Sequence, residues 1–250
     1  MSLVVIKIGG DVVADKVNLS ALVDEFRALH ENNTGIVVIH GGGPQATALT
    51  KALGLNPTVV GGRRITSADV LEVMKMTLAG SVSVDIMSAC RAKQLPALGL
   101  SGVSAGLIDA VKRPPRIVSG CGDTPVDFGE VGDVHGVNID AIKALIQAGF
   151  IPVISSLSAD AEGRVLNINA DIVACQTAAS LQADALVLVT GAGGGQGRST
   201  AHLFADEGAH VAVTDLGQAE VDAVVTEITD AGGSAAGWTM DVANADRVQQ

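Results

Sequence analysis

Residues Leu3 to Gly10 read LVVIKIGG, an apolar strand candidate carrying a lysine at its end and followed directly by two glycines. Further on, Ile36 to Pro44 read IVVIHGGGP, the same strand and glycine turn with a proline placed to start a helix. The rhythm continues. Apolar strand candidates fall at Leu3–Ile8, Ile36–His40, Leu95–Leu100, Ile151–Ile154, Ala185–Val189, His210–Thr214 and Ala235–Met240. Amphipathic stretches separate them at Leu19–His30, Ser67–Gly80, Asn138–Ala148, Ala170–Leu181 and Arg198–Ala205. Alternation of this kind predicts an α/β fold, a three-layer α/β/α arrangement with a mainly parallel open sheet. Ligands of such folds gather at the carboxyl ends of the strands, so the turns hold the chemistry.

Bulk properties narrow the function classes. Aromatic residues make up only 2% of the chain against 48% apolar residues overall, so the core must be built from Val, Ile, Leu and Ala, as buried parallel strands are. A net charge of −11 argues against nucleic acid as a partner, because phosphate backbones are held by clustered Lys and Arg. No apolar run approaches the roughly 20 residues that cross a bilayer, and MSLVVIKIGG lacks a basic segment leading into an apolar one. A cytoplasmic protein without a membrane partner is therefore expected. Cys90, Cys121 and Cys175 fall in no CxxC or CxxH spacing, which suggests buried or incidental thiols and no metal site.

Residues Val103 to Asp133 break the rhythm. They hold Pro114, Pro115 and Pro125 among many Gly and Asp residues, and read as hairpins and loops. A lid or substrate loop and a solvated elaboration are both compatible with that composition.

Several residues before position 190 could carry chemistry. Lys7 would project from the carboxyl edge beside the free amides of Gly9 and Gly10, a combination suited to phosphate oxygens, although a strand-end lysine is also a common surface charge. Gly41, Gly42 and Gly43 after His40 let the backbone approach an oxyanion closely. HGGG with Gly102-Val103-Ser104-Ala105-Gly106 also matches a hydrolase oxyanion hole and G-x-S-x-G elbow. That elbow must lie between a strand and a helix, whereas Ser104 precedes a Pro-rich stretch. Arg64, in GGRRIT before a helix capped by Thr66 or Ser67, suits bidentate grip on a carboxylate. Asn167, Asn169 and Asp171, in LNINAD, form a polar cluster opening a helix, where Asp171 could serve the helix start or a site.

Taken together, VIKIGG, VIHGGGPQ, GGRRIT, the TLAG of Thr77 to Gly80, GLSGVSAGLI and LNINAD occur in the order seen in acetylglutamate kinases. Over about residues 3–190 the chain resembles that branch of the amino-acid kinase family. The resemblance implies ATP with Mg as phosphoryl donor and the side-chain carboxylate of N-acetyl-L-glutamate as acceptor, a step of arginine biosynthesis. It also implies a homo-oligomer. Lys7 would stabilise the transferring phosphoryl group, and Asp171 would orient the catalytic lysines. Gly9 and Gly10 would bind phosphate, while Gly42, Gly43, Arg64, Asn167 and Asn169 would hold the substrate. A related kinase of aminoadipate derivatives usually reads differently around LNINAD, which favours acetylglutamate.

Residues Leu186 to Gly197, LVLVTGAGGGQG, change the picture. TGxxxGxG between a strand and a helix resembles the cofactor loop of short-chain dehydrogenases, with Gly191, Gly195 and Gly197 as the loop glycines. Asp215 follows 24 residues after Gly191, placed to accept from an adenosine ribose and favour NAD, and Asp241 matches an adenine-contacting position. Charge shifts at the same place: residues 1–190 carry 14 basic and 18 acidic side chains, residues 191–250 carry 2 and 9. The expected organisation is a kinase-like substrate-binding half over 1–185 and a partial Rossmann βαβαβ unit over 186–250. There is no tyrosine for a dehydrogenase Tyr-x-x-x-Lys pair and no lysine after Lys143 for the kinase's second catalytic lysine. An impaired acetylglutamate kinase is thus expected, with a non-catalytic NAD-binding module or an inactive chimera as alternatives.

Overall fold

The computed structural model describes residues 2–55, 58–60, 63–118, 124–188, 198, 201–202, 205–206, 210–215 and 217–239. The chain divides into two compact units, Met1–Asp184 and Ala185–Gln250.

The first unit begins with β1 (Leu3–Ile8), the short α1 (Gly10–Ala14), α2 (Lys16–Glu31), β2 (Gly35–His40) and α3 (Gly43–Ala52). A small ribbon, β3 (Val59–Val60) and β4 (Arg63–Arg64), leads to α4 (Ala68–Met74). A π-helical segment over Lys75–Val82 joins α4 to α5 (Ser83–Ala92), so the helix expected to end at Gly80 runs on. Gly80 does not stop it because its backbone stays helical, and termination by glycine requires a left-handed residue. Next come β5 (Ala97–Ser101), β6 (Ile108–Lys112), β7 (Gly132–Val137) and α6 (Ile139–Gln147). The unit closes with β8 (Ile151–Ser155), β9 (Leu157–Ala159), β10 (Val165–Asn167) and α7 (Ala170–Leu181).

Strands β1, β2, β8 and β5 lie side by side in that order, all parallel. Alternation along β1 and β2 sends Val4, Ile6, Ile8, Ile36 and Val38 to one face, where they form a core with Leu19, Val23 and Phe26 of α2 and Ile86 and Cys90 of α5. Val5, Val37 and Ile39, also buried, point to the other face, where α7 packs on β1 and β2. These are the three layers expected. The irregular stretch Val103–Asp133 supplies β6 and the first residues of β7 to a second sheet, ordered β10-β9-β6-β7, in which β6 and β7 pair antiparallel. Its residues 119–123, Cys121 included, lie outside the described part.

Caps explain several boundaries. The Asp15 carboxylate accepts from Val17 N and Asn18 N at the start of α2, Ser67 Oγ accepts from Val70 N at α4, and Asn138 Oδ1 accepts from Ala141 N at α6. Cys90 and Cys175 are buried and outside any disulfide, and burial pushes the Cys90 thiol up to about 11, which leaves it inert near neutrality.

In the second unit, β11 (Ala185–Leu188), β12 (His210–Asp215), α8 (Gln218–Asp230) and β13 (Ser234–Thr239) are described. β12 and β13 pair parallel with α8 between them, a single βαβ unit. Helix α8 buries Val221, Val224 and Ile228, a helical spacing hidden in sequence by its β-branched content. Among the described residues no helix is long and apolar enough to cross a membrane.

Phe26 of α2 is fully buried in the main core. Phe26→Ala should therefore cost about 3–5 kcal/mol of unfolding free energy, read as a lower urea midpoint with an unchanged denaturant slope.

Candidate active site

Register alone aligns the functional edge. Ile8 pairs with His40, His40 with Ser155 and Ser155 with Ser101, so the last residues of four parallel strands form one row. The glycine turns singled out before residue 190 follow that row, Gly9–Gly10 after β1, Gly41–Gly43 after β2 and Gly102 after β5.

The first two turns touch. A Cβ placed on Gly10 would lie 2.5 Å from Gln45 Oε1, 2.8 Å from Pro44 Cδ and 3.2 Å from Gly42 Cα. Only glycine fits there. Gln45 Nε2 donates to Gly10 O at 2.6 Å and ties the start of α1 to the start of α3. Behind Gly42 stand Val82 and Leu78 of the π-helical segment, 3.1 and 3.5 Å from where a Cβ would be, whereas Gly43 faces open space. Two helix N-termini thus open on the same small region, where backbone N–H groups without intrahelical partners favour an anion.

Lys7 and Asp171 meet at this edge. Their Nζ and Oδ1 lie 2.8 Å apart, with side chains 13% and 15% exposed. Lys7 is therefore no solvated surface charge. Nor is Asp171 the cap of α7, because Asn169 does that work: its Oδ1 accepts from Asp171 N at 2.7 Å and from Ile172 N at 3.4 Å. Asn169, expected among the substrate ligands, has a structural duty at the helix start.

Arg64, at the end of β4, is part-buried. Its Nη2 donates to Thr47 Oγ1 of α3 and its Nη1 approaches Met74 Sδ of α4 at 3.7 Å. Burial lowers its pKa, and no carboxylate among the described residues pairs with it. Asn167, at the end of β10, donates from Nδ2 to Thr66 Oγ1 at 3.3 Å, while Thr66 N–H donates to Phe128 O. Ser67 and not Thr66 is the cap of α4, which leaves Thr66 free to link the β10 end to this wall.

His40 is fully buried in the row; its Nδ1 lies 2.9 Å from Gly41 O, a geometry in which the ring N–H donates to the carbonyl. Burial lowers its pKa, because the charged imidazolium would be desolvated. Ser104 lies in a short 3₁₀ turn between β5 and β6, and its Oγ accepts from Ser101 N at 3.1 Å. That is not a strand-to-helix elbow, so the hydrolase pattern has no structural counterpart.

The structure thus gathers Lys7, Gly9, Gly10, Gly42, Gly43 and Asp171 at one edge, with Arg64 linked through Thr47 to the second glycine turn. Sequence reasoning missed Thr47 and Met74, which belong to no recognisable motif, and gave Thr66 of GGRRIT only the role of a possible helix cap. Gln45 stood inside the quoted VIHGGGPQ but without a role. Gly191, Gly195, Gly197 and Asp241 lie outside the described residues, and Asp215 is the last residue of β12.

Two consequences are measurable. Gly10→Val forces Gln45 and Pro44 away from the turn, so it should destabilise the fold by about 1–3 kcal/mol and weaken anion binding together, read by urea unfolding and phosphate titration. His40 has a depressed folded-state pKa, so its contribution to stability is complete above the unfolded pKa near 6.5 and declines as pH falls from there toward the folded value. Urea unfolding between pH 7.5 and 5.5 should show this decline, and His40→Gln should flatten it.

Comparison with known proteins fits this geometry. A family model described as the amino acid kinase family matches residues 2–231. That match runs past the glycine loop at 191–197, where the sequence suggested a change of family. The acetylglutamate kinase of Anaeromyxobacter sp. (strain Fw109-5) is 45% identical over 190 residues, covering 76% of this chain and 70% of that protein. Among solved structures, smu.665 from Streptococcus mutans UA159 superposes with a TM-score of 0.67 at 23% identity, over 93% of this chain and 84% of that one. An N-acetylglutamate synthase from Neisseria gonorrhoeae, solved with coenzyme A and N-acetyl-glutamate, gives 0.68 at 20% identity over 100% of this chain and 56% of that one. The parallel sheet, the paired glycine turns and these matches agree: the chain belongs to the amino acid kinase family.

Proposed function

We propose that the carboxyl edge of the first unit is a phosphoryl-transfer site of acetylglutamate kinase type. The observation that carries the reading is the Lys7–Asp171 pair held against two glycine turns. Support also comes from the acetylglutamate kinases that match this chain at 44–45% identity. On this reading Arg64 grips a carboxylate of N-acetyl-L-glutamate, and Asn167 with the amides of Gly42 and Gly43 orients the rest of the substrate.

The reaction joins the substrate's side-chain carboxylate oxygen to the γ-phosphorus of ATP and breaks the bond from that phosphorus to the ADP oxygen. Little covalent work falls to the protein, so positioning and charge neutralisation do most of the catalysis. Lys7 supplies a positive charge to the equatorial oxygens, and the amides of Gly9, Gly10 and the second turn supply fixed dipoles. Asp171 keeps the Lys7 ammonium aimed at the edge. Mg²⁺ arrives with the triphosphate, as is usual for this ion.

Within these 250 residues no lysine follows Lys143, so the second lysine that the family resemblance calls for has no counterpart here. Turnover of this polypeptide is accordingly weak or nil, while substrate binding persists. A second reading, dinucleotide binding at Gly191–Gly197, is favoured by the parallel β12–α8–β13 unit with Asp215 at the end of β12. Homo-oligomerisation, the family expectation, is tested by light scattering.

Calorimetry with N-acetyl-L-glutamate should show binding that Arg64→Ala weakens by a factor of about 10 to 100, the scale of a charge-assisted bidentate contact. Absence of heat with the unaltered chain overturns the site reading. A coupled ADP-release rate of about 1–100 per second, ordinary for kinases, overturns the claim of weak turnover. Heat on titrating NAD, lost in Gly195→Val, would establish the second reading.

A further inference from the structure

We infer that Thr47 is a positioning residue that locks the Arg64 guanidinium to the second glycine turn, setting where the arginine presents its remaining donors. The inference rests on the substrate reading above and adds a residue to it that no motif marks.

Thr47 sits one turn into α3, and its hydroxyl has its proton committed. Oγ1 donates to Gly43 O at 2.8 Å, which leaves the oxygen lone pairs facing outward, and Arg64 Nη2 donates to them. The polarity of this relay is therefore fixed: arginine to threonine to glycine carbonyl. Gly43 O belongs to the second glycine turn, at the residue that opens α3, so one hydroxyl couples the arginine to the backbone of that turn. On the opposite side Met74 Sδ meets Nη1 at 3.7 Å. A soft sulfur there fills space beside the guanidinium without offering a competing charge.

Such a device answers a geometric problem. Arg64 ends a two-residue strand in a ribbon of only two strands, which offers little packing to hold a long side chain. Fork-like recognition of a carboxylate needs the guanidinium plane fixed, and the stem of an arginine has considerable rotamer freedom to lose. Tethering one terminal nitrogen to a helix removes that freedom before the ligand arrives.

The test uses the full chain and its Thr47→Val, Thr47→Ser and Arg64→Ala forms. Valine keeps the shape and deletes the relay, whereas serine restores the hydroxyl. Phenylglyoxal labelling of Arg64, followed by peptide mass spectrometry with the exposed Arg27 as internal control, should be several-fold faster in Thr47→Val and return to the original rate in Thr47→Ser. The Kd for N-acetyl-L-glutamate should rise about tenfold in Thr47→Val, the effect of one hydrogen bond to a charged group, and not at all when Arg64 is already alanine. An unchanged Arg64 labelling rate in Thr47→Val overturns the inference, as does a serine variant that fails to restore it. Should the unaltered chain take up no N-acetyl-L-glutamate, the substrate reading falls, and the labelling ratio alone decides the role of Thr47.

Discussion

The structure turns on how closely two backbone segments approach one another. Gly10, opening α1, lies where any side chain would meet Gln45 and Pro44 of α3, with the Gly42 backbone just beyond. Parallel strands one hydrogen bond apart fix their neighbouring ends about 4.8 Å from each other. Turns leaving β1 and β2 on the same side must then share one small volume, and only backbone without side chains allows it. The Gln45 bond to Gly10 O secures the arrangement with a group that is itself enclosed. From this contact follow the common direction of the two helix starts and the concentration of free N–H groups in one place.

A concentration of backbone donors creates positive potential, and an ammonium group added to it must be stabilised when no anion is bound. The Lys7–Asp171 pair meets that need. Both side chains are mostly enclosed, and a pair at 2.8 Å in such surroundings is costly to break by removing either member. Asp171 can approach because Asn169, two residues earlier, takes over the capping of α7 and leaves the carboxylate unemployed by its own helix. A helix start with both an amide cap and an acidic residue in its first turn therefore serves two ends at once, local stability and the orientation of a lysine on a different element.

How much of this was legible in sequence depends on whether the deciding interaction is local. Helix α7 was read at its observed bounds, and α6 to within one residue at each end, because apolar periodicity and asparagine caps lie within a few residues of each other. The glycine turns were legible too, since a run of glycines after a strand has few structural explanations. Other features depended on distant partners. Nothing local says that Asp171 would pair with Lys7 and leave the capping to Asn169. The helix through Lys75–Val82 continued past Gly80 because Leu78 and Val82 are held against Gly42, a contact between segments about 40 residues apart. Thr47 was invisible for the same reason, being an unremarkable helix residue until Arg64 is placed beside it.

Two arginines of the first unit show the same side chain with and without an acidic partner. Arg113 is 7% exposed, and its guanidinium is satisfied internally: Nε and Nη2 both donate to Asp133 Oδ1, at 2.9 and 2.6 Å. That pair joins the residue after β6 to β7 and gives the guanidinium its counter-charge within the fold. Arg64 is also desolvated, yet its described contacts are a neutral hydroxyl and a thioether. Desolvating a guanidinium without a counter-charge costs free energy that folding alone does not recover. On the proposed reading an incoming carboxylate would recover it, because it would meet a part-buried cation already oriented by Thr47. In the proposed site the difference between the two arginines is thus the presence or absence of one acidic neighbour.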